Sequence, residues 1–481
     1  MVSGAQTSET IDSQNDNTLP GNYSQPCRKP VGRPPRASVN PSVVGKEFAA
    51  FCKGTFPHLN LWLSELPDPR RQELCKYTAS HIWHHIIMTF LTRCGSRNAY
   101  DNVRNIGRGP ANVGIICGQE ENDFRFGPNG ATVTCSDNAA HHSNRVEPEK
   151  VVEIPEKMLR ELFKRRTLDN CRIFNSWYVM LADGSVREKC RKGFEQGGKI
   201  SKNASGEICR YYYVLQLGIL GPDGILLPFA HESIDMHDPV ADKEDCELKA
   251  FTRLAARVKK EFPRTPFCIV ADSLYAVQNV VDICETNGWK YVFTLKEGRQ
   301  PSLWEEAVEL LPFVSGNRAR IIRDPQKKQE ICDFRWIEKL SIGKTHFCNL
   351  ILCGDITADS AILYAWITNF GNLTPTRVVA IAQTAGRKRH RIEDHFNTQK
   401  NNGAGLEHVF CANPWGGKNY YTMLQVAETL WQLFYRGHLL RLYEWARKTT
   451  QKGLAIILGE NLRNTLLPPE IKPIGQLRFI T

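Results

Sequence analysis

The order of apolar segments after Leu168 constrains the fold most. FNSWYVMLAD, YYYVLQLGIL and GILLPFA are short apolar runs bounded by Gly, Pro or Asp, a pattern typical of strands. A helical pattern over about 241–261, the run FCIVAD, a helix over about 274–287 and the run KYVFTL follow. The resulting order, β-β-β-α-β-α-β, predicts an α/β fold with a mixed sheet flanked by helices.

The rest of the chain divides by composition. Its beginning is rich in Ser, Asn, Gln and Pro, whereas helical periodicity dominates before Leu168 and again after Pro375. Four strand-like runs follow the helix SLWEEAVELL and predict a β-rich insertion. The predicted segments are a disordered tail (1–45), an N-terminal helical, DNA-binding domain (46–165), an α/β domain (166–300 and 372–447), the insertion (301–371) and a C-terminal tail (448–481).

Charge and cysteine usage limit the class of protein. Lys and Arg number 62 against 51 Asp and Glu, a net charge of +11, which suits a polyanionic partner such as DNA or RNA but also fits a mildly basic enzyme. The 16 cysteines include no C-x-x-C pair, which disfavours a zinc finger and favours a reducing cytoplasm. No apolar run approaches the roughly 20 residues of a membrane span, and the polar N-terminus does not resemble a signal peptide.

The tail contains a short basic motif, KPVGRPPR, whose core is Gly32-Arg33-Pro34. It resembles an AT-hook: the prolines hold the chain extended, the glycine permits close approach, and Arg33 would enter a narrow minor groove of negative potential. A simple basic linker is an equally good interpretation.

Two acids occupy one physical context. Asp183 ends the apolar run YVMLA and Asp272 ends FCIVA, so each is predicted to lie at the carboxyl end of a strand. Ligands gather at those ends in open α/β sheets. Two adjacent carboxylates repel unless cations lie between them, and hard oxygen ligands favour Mg²⁺ or Mn²⁺. The alternative is that each Asp merely begins a turn or caps a helix.

A third acid belongs to a charged helical stripe. At 100° per residue, Arg389, Glu393 and Lys400 share one helix face, which suits a carboxylate that holds a metal between two phosphate-binding cations. An ordinary solvated face with i, i+4 charge pairs would have the same pattern. Asp394 is the rival for the role of the acid.

These residues resemble the DDE transposases of insertion-sequence family four, which carry a Tyr-Arg-Glu-Lys signature. The similarity includes Asp183 followed by Gly, VADSLY around Asp272, and the Arg389, Glu393 and Lys400 spacing. It extends to IEDHFNTQKNNGAGLEH, KNYYTMLQVAETLWQL, PDPRRQ and SRNAYDNV, so that it covers most of residues 60–440. One departure is Gly386, which stands where the signature has Tyr.

The resemblance implies an RNase H-like core with the β-rich insertion between the second Asp and the Glu. It implies two Mg²⁺ (or Mn²⁺) ions, bridged by Asp183 and held by Asp272 and Glu393, which promote DNA strand cleavage and strand transfer at transposon ends. It also implies a homodimer on double-stranded transposon-end and target DNA, associated with the cytoplasmic nucleoid. The predicted DNA-binding residues are Arg389, Lys400, Arg387, Lys388, Arg391, Arg33 and, as a base-stacking group, Trp336. For Trp336 a core tryptophan on a strand is the alternative, and it is the better interpretation.

Two other functions remain open. A catalytically silent DNA-binding protein derived from a transposase is favoured by Gly386 and disfavoured by the presence of all three acids. A junction resolvase would not be expected to carry the signature helix or the long insertion.

Arg33→Ala tests the tail. We expect weaker binding to AT-rich DNA and a shallower salt dependence, because one cation in the groove is lost. Titration of AT-rich and GC-rich duplexes at several salt concentrations measures both quantities. Unchanged affinity and unchanged slope would mean that the tail is only a linker.

Overall fold

The computed structural model describes residues 41–118, 132–190, 198–202, 206–234, 245–296, 298–322, 331–356, 361–468 and 470–479. The AT-hook-like motif and Arg33 lie outside the described residues. An N-terminal helical part precedes the first strand, as predicted. Its α-helices within these ranges are α1 (Val44–Thr55), α2 (Leu59–Ser64), α3 (Ala79–Leu91), α4 (Arg97–Asp101), α5 (Gly109–Ile116), α6 (Ser136–Ser143), α7 (Pro148–Val151) and α8 (Glu153–Lys164).

The middle of the chain combines strands and helices in one mixed sheet. Its described strands are β1 (Arg172–Ile173), β2 (Trp177–Cys190), β3 (Lys199–Lys202), β4 (Ile208–Leu220), β5 (Leu226–Ile234), β6 (Phe267–Ala271), β7 (Lys290–Thr294), β8 (Arg318–Ile322), β9 (Ile331–Ile342), β10 (His346–Ile356) and β11 (Ala361–Thr368). Helices α9 (Glu247–Glu261), α10 (Gln278–Thr286) and α11 (Pro301–Leu310) separate the later strands. The predicted order β-β-β-α-β-α-β is confirmed by β2, β4, β5, α9, β6, α10 and β7.

The sheet is continuous from the central strands into the predicted insertion. Its order is β3-β4-β2-β6-β7-β11-β10-β9-β8, with β1 on β2 and β5 on β4. The neighbours β2, β6 and β7 are parallel, and the other pairs are antiparallel. Because β11 bonds directly to β7, the strands between residues 301 and 371 extend the same sheet.

Trp336 lies inside this extension. It is on β9 opposite Ile351 of β10, and its side chain is only 3% exposed. An aromatic group that stacks on a flipped base must be accessible. The burial of Trp336 agrees with the alternative interpretation, a core tryptophan on a strand, rather than with base stacking.

The strand that carries Asp183 is longer than its apolar run. The sequence predicts that this strand ends at Asp183, but β2 continues to Cys190. The parallel pairing with β6 stops at Leu181, whereas antiparallel pairing with β4 persists to Cys190. The second half of β2 is polar and therefore lacks the apolar pattern that predicts a strand. It is a strand because its backbone pairs with β4.

The C-terminal region is helical and packs against the N-terminal helices. It comprises α12 (Pro375–Thr384), α13 (His390–Asn401), α14 (Pro414–Gln432), a π-helical segment (Leu433–Leu439), α15 (Leu440–Leu442), α16 (Glu444–Arg447) and α17 (Gln451–Asn464). The expectation of a simple tail after residue 448 is wrong, since α17 packs on α1 and α5. The buried amide of Asn112 donates to the carbonyl groups of Leu462 (2.6 Å) and Thr465 (2.7 Å).

Helix α14 runs through the interior and carries buried polar side chains. Almost all of its residues are buried, and Glu428 forms a buried ion pair with Arg93, which follows α3. The pair joins the N-terminal helical part to the centre of the protein. No helix in the described ranges is both long and apolar enough to cross a membrane.

Glu428→Ala is expected to destabilise the protein by about 3–5 kcal/mol, because it leaves the Arg93 charge buried without a partner. Denaturant unfolding measures this change. Glu261→Ala is the matched control, because Glu261 pairs with Arg160 at the surface (2.5 Å) and such pairs contribute about 0–1 kcal/mol. Equal unfolding midpoints for both variants would contradict the importance of the buried pair.

Candidate active site

Asp183 and Asp272 come from neighbouring strands of the sheet, β2 and β6. β2 and β6 are parallel neighbours over Tyr178–Leu181 and Phe267–Val270, as the prediction of adjacent strands requires. Asp272 directly follows β6, and its Oδ1 accepts the Leu274 N–H at 2.8 Å, which caps a short turn. Asp183 lies two residues beyond the last β2–β6 pair. Both carboxylates therefore emerge at the same end of the parallel strands.

Helix α13 brings the third acid to this end of the sheet. It packs on β2. The Arg389 guanidinium forms an ion pair with Glu393, and its Nη1 lies 4.0 Å from Asp183 Oδ2. Asp394 instead pairs with Arg391 at 3.3 Å and is 53% exposed. Glu393, rather than Asp394, is the acid that faces Asp183.

The electrostatics of Asp183 show that several carboxylates surround it. Burial raises its pKa to about 7, Arg389 opposes this shift, and the negative charges of Glu247, Glu393 and Asp272 reinforce it. Asp183, Asp272 and Glu393, which are remote in the sequence, therefore interact electrostatically. A fourth acid, Glu247, also acts on Asp183 and is absent from the sequence-based prediction.

Glu247 is the first residue of α9, and its carboxylate makes two contacts within the site. The Tyr275 hydroxyl donates to its Oε1 at 2.7 Å, and the Gly184 backbone N–H donates to the same carboxylate. Burial raises the pKa of Glu247. An acid in the first turn of a helix usually indicates only a favourable interaction with the helix dipole. The glycine after Asp183 was the available signal, because a strand glycine often marks a close approach.

The donor set fits a hard divalent cation. Four carboxylates interact here, and Arg389 contacts two of them, Asp183 and Glu393. Burial raises the pKa of Asp183, and the negative charges of the other three acids add to this shift. Oxygen ligands of this kind suit Mg²⁺ or Mn²⁺. The acids do not form a tight three-ligand cage: within the described ranges, the set of three metal-binding side chains with donor atoms within 4.8 Å of one another is Cys332, Cys353 and Asp355.

Arg387 fills that second cluster. Its Nη1 donates to Asp355 Oδ2 at 2.7 Å, its Nη2 donates to Cys353 Sγ at 3.1 Å, and its guanidinium lies over the Tyr364 ring, 4.6 Å from the centroid. The cation of this cluster is thus an arginine. Arg387 is 10% exposed, so the structure does not present it for the predicted phosphate contact.

The other predicted DNA-binding cations make their described contacts mainly with groups other than Asp183, Asp272 and Glu393. Lys400 pairs with Glu407 at 2.8 Å, and Arg391 lies against Gly224 in addition to its bond with Asp394. Lys388 is half-buried. Among the predicted DNA-binding cations, Arg389 directly contacts two of the acids, Asp183 and Glu393.

The packing of Trp366 explains why residue 386, where the resemblance leads one to expect Tyr, is a glycine. A Cβ there would lie 2.6 Å from Cε2 and 2.7 Å from Nε1 of Trp366. The Trp366 ring is buried and stacks on Tyr364, with 5.7 Å between centroids and 3° between planes. A tyrosine therefore cannot occupy position 386 without displacing this aromatic pair.

Neither a search of protein-family models nor a search of curated proteins finds a match to this chain.

Asp183→Asn is expected to stabilise the protein at pH 8 but not at pH 4. The unfolded carboxyl ionises near pH 4 and the folded one near pH 7, so the native state loses stability as the pH rises through this window. Because one pKa unit corresponds to about 1.4 kcal/mol, the gain at pH 8 is up to about 4 kcal/mol. Thermal unfolding in EDTA at both pH values measures it, with the exposed Asp394→Asn as control. An equal effect at both pH values would contradict the raised pKa.

Proposed function

We propose that this protein is a DNA transposase of the DDE class, which catalyses metal-dependent strand cleavage and strand transfer at transposon ends. The observation that carries the proposal is the proximity of three acids that lie far apart in the sequence. Asp183 and Asp272 follow the paired parts of two parallel strands, and Arg389 contacts both Asp183 and Glu393. The origin of the three acids on two parallel strands and a later helix agrees with the order of the resemblance described above.

The topology supports an RNase H-like core. Three antiparallel strands, β5, β4 and β2, continue into the parallel strands β6 and β7, with helices between β5, β6 and β7. Asp272 directly follows β6, and Asp183 lies just beyond the part of β2 that pairs with β6, so both acids lie at the edge where ligands bind in open α/β sheets. The finer assignment within this fold class is part of the proposal.

Asp183, Asp272 and Glu393 would hold two Mg²⁺ or Mn²⁺ ions. When bound, such ions activate the attacking oxygen and neutralise the leaving oxygen in displacement at phosphorus. Arg389 lies between Asp183 and Glu393, where it can neutralise a nearby phosphate. In the first reaction water would break one phosphodiester bond and leave a 3′-hydroxyl. In the second that hydroxyl would attack a target phosphodiester and expel a new 3′-hydroxyl.

Double-stranded DNA is the proposed partner, as transposon ends and as target. The net charge of +11 supports a polyanion, since cations that replace counterions dominate such affinities. A homodimer in the synaptic complex and association with the cytoplasmic nucleoid follow from the same proposal.

A catalytically silent DNA-binding protein is the second candidate. Gly386 under Trp366, Arg387 in its ion pair with Asp355 and Lys400 in its ion pair with Glu407 favour it. Two signature positions, 386 and 400, and one further predicted DNA-binding cation, Arg387, are then unavailable to DNA. The four-carboxylate crowding favours the enzyme, since a protein that only binds DNA gains nothing from negative charge beside it.

Asp183→Asn, Asp272→Asn and Glu393→Gln are each expected to lower Mg²⁺-dependent cleavage by roughly 100-fold or more, because transition-state charge is no longer neutralised. DNA affinity should be largely retained. The assay uses the full chain, DNA that carries the sequences flanking its gene, and Mg²⁺ or Mn²⁺. Asp394→Asn is the matched control and should cleave normally.

Full activity in one of the three variants would remove that residue from the site. Absence of cleavage by the wild-type protein, together with specific DNA binding, would support the silent DNA-binding protein instead.

A further inference from the structure

Tyr275 is fixed in the turn that begins with Asp272. It is the third residue after Asp272, its ring is fully buried, and it packs edge-on against Phe251 of α9 with 5.2 Å between centroids. A buried hydroxyl requires a hydrogen-bond partner, and this one has Glu247 Oε1 at 2.7 Å. The position of the Asp272 turn is thus tied to the first residue of α9.

The other side of the Glu247 carboxylate touches β2 directly after Asp183. A Cβ at Gly184 would lie 2.5 Å from Glu247 Oε2, so a side chain at position 184 would push the Glu247 carboxylate away from β2. The Gly184 N–H is shared: it donates to Asp183 Oδ1 at 3.1 Å and also to the Glu247 carboxylate. Glu247 therefore contacts the backbone that sets the direction of the Asp183 side chain.

We propose that Glu247 is a positioning residue, which together with Tyr275 fixes Asp183 relative to Asp272. One carboxylate links the strand that carries the first acid to the turn that carries the second. Helix α9 provides a rigid base, since its Ala250, Phe251, Leu254, Ala255 and Val258 are buried. This inference rests on the proposed function, because what is positioned is the proposed pair of metal-binding acids.

Three variants separate positioning from a simple effect of charge. Glu247→Ala removes both contacts. Tyr275→Phe removes one contact but leaves the charge in place. Glu247→Gln removes the charge but can keep both contacts, because the amide oxygen can accept the Gly184 N–H and the amide nitrogen can donate to the Tyr275 oxygen.

The experiment measures kcat, KM and DNA affinity of the full chain, and Mn²⁺ affinity by electron paramagnetic resonance. Glu247→Ala and Tyr275→Phe should lower kcat and weaken Mn²⁺ binding by roughly 10- to 100-fold each, as changes in groups that orient metal ligands do, with DNA affinity unchanged. Glu247→Gln should stay close to wild type in both quantities. Glu261→Gln, on the same helix, and Tyr443→Phe, which removes a 3.1 Å bond to Glu47, are the matched controls.

A pattern in which Glu247→Gln is as impaired as Glu247→Ala while Tyr275→Phe is normal would overturn the inference, because the charge alone would then matter. Wild-type values in all three variants would also overturn it, while the loss of cleavage in Asp183→Asn would leave the proposed function standing. If Glu247→Ala does not fold, the contrast between Tyr275→Phe and Glu247→Gln decides.

The absence of wild-type cleavage would count against the proposed function but not by itself against the positioning role. The Mn²⁺ affinities then decide: weaker binding in Tyr275→Phe with normal binding in Glu247→Gln supports the role, and equal binding overturns it. A wild-type protein that neither cleaves DNA nor binds Mn²⁺ would overturn both proposals.

Discussion

The repulsion among carboxylates around Asp183 is the constraint on which the rest of the site depends. Burial and the charges of Glu247, Glu393 and Asp272 all disfavour the ionised form of Asp183. Arg389, the residue directly before α13, opposes this effect on Asp183. A protein keeps such an arrangement only if the surrounding fold holds it. Here β2, the turn after β6, α9 and α13 each supply one acid. The same burial and negative charge that destabilise the ionised Asp183 would favour the binding of a cation.

Much of this framework was predictable because it depends on short-range patterns. Apolar runs located β2, β4, β5, β6 and β7, and helical periodicity located α13 and its charged face. The acids at 183 and 272 stood out because each followed a buried run. The helical projection already favoured Glu393, which shares a face with Arg389 and Lys400, over Asp394. The ion pair between Arg389 and Glu393 agrees with that choice.

What was missed depends on contacts between distant residues. Glu247 resembled an ordinary helix-capping acid, and its role appears only when Gly184 and Tyr275 meet it. The extent of β2 depended on bonds to β4 rather than on its own polar sequence. Trp336 is an aromatic residue of the kind that can stack on a base, but in the structure it lies on β9, opposite Ile351 of β10, and is buried. In the sequence, Gly386 was interpreted as a departure from the signature tyrosine. In the structure, the adjacent ring of Trp366 leaves no room for a side chain at this position.

The closure of α17 onto the N-terminal helices has a consequence for the order of folding during translation. Asn112 is completely buried, and its amide and carbonyl groups are satisfied by the backbone at Leu462, Thr465 and Leu467. Those partners leave the ribosome some 350 residues later. Until then the N-terminal helices carry an exposed apolar face and unpaired polar groups. The N-terminal helices therefore reach their native packing only after α17 and the residues that follow it have been synthesised.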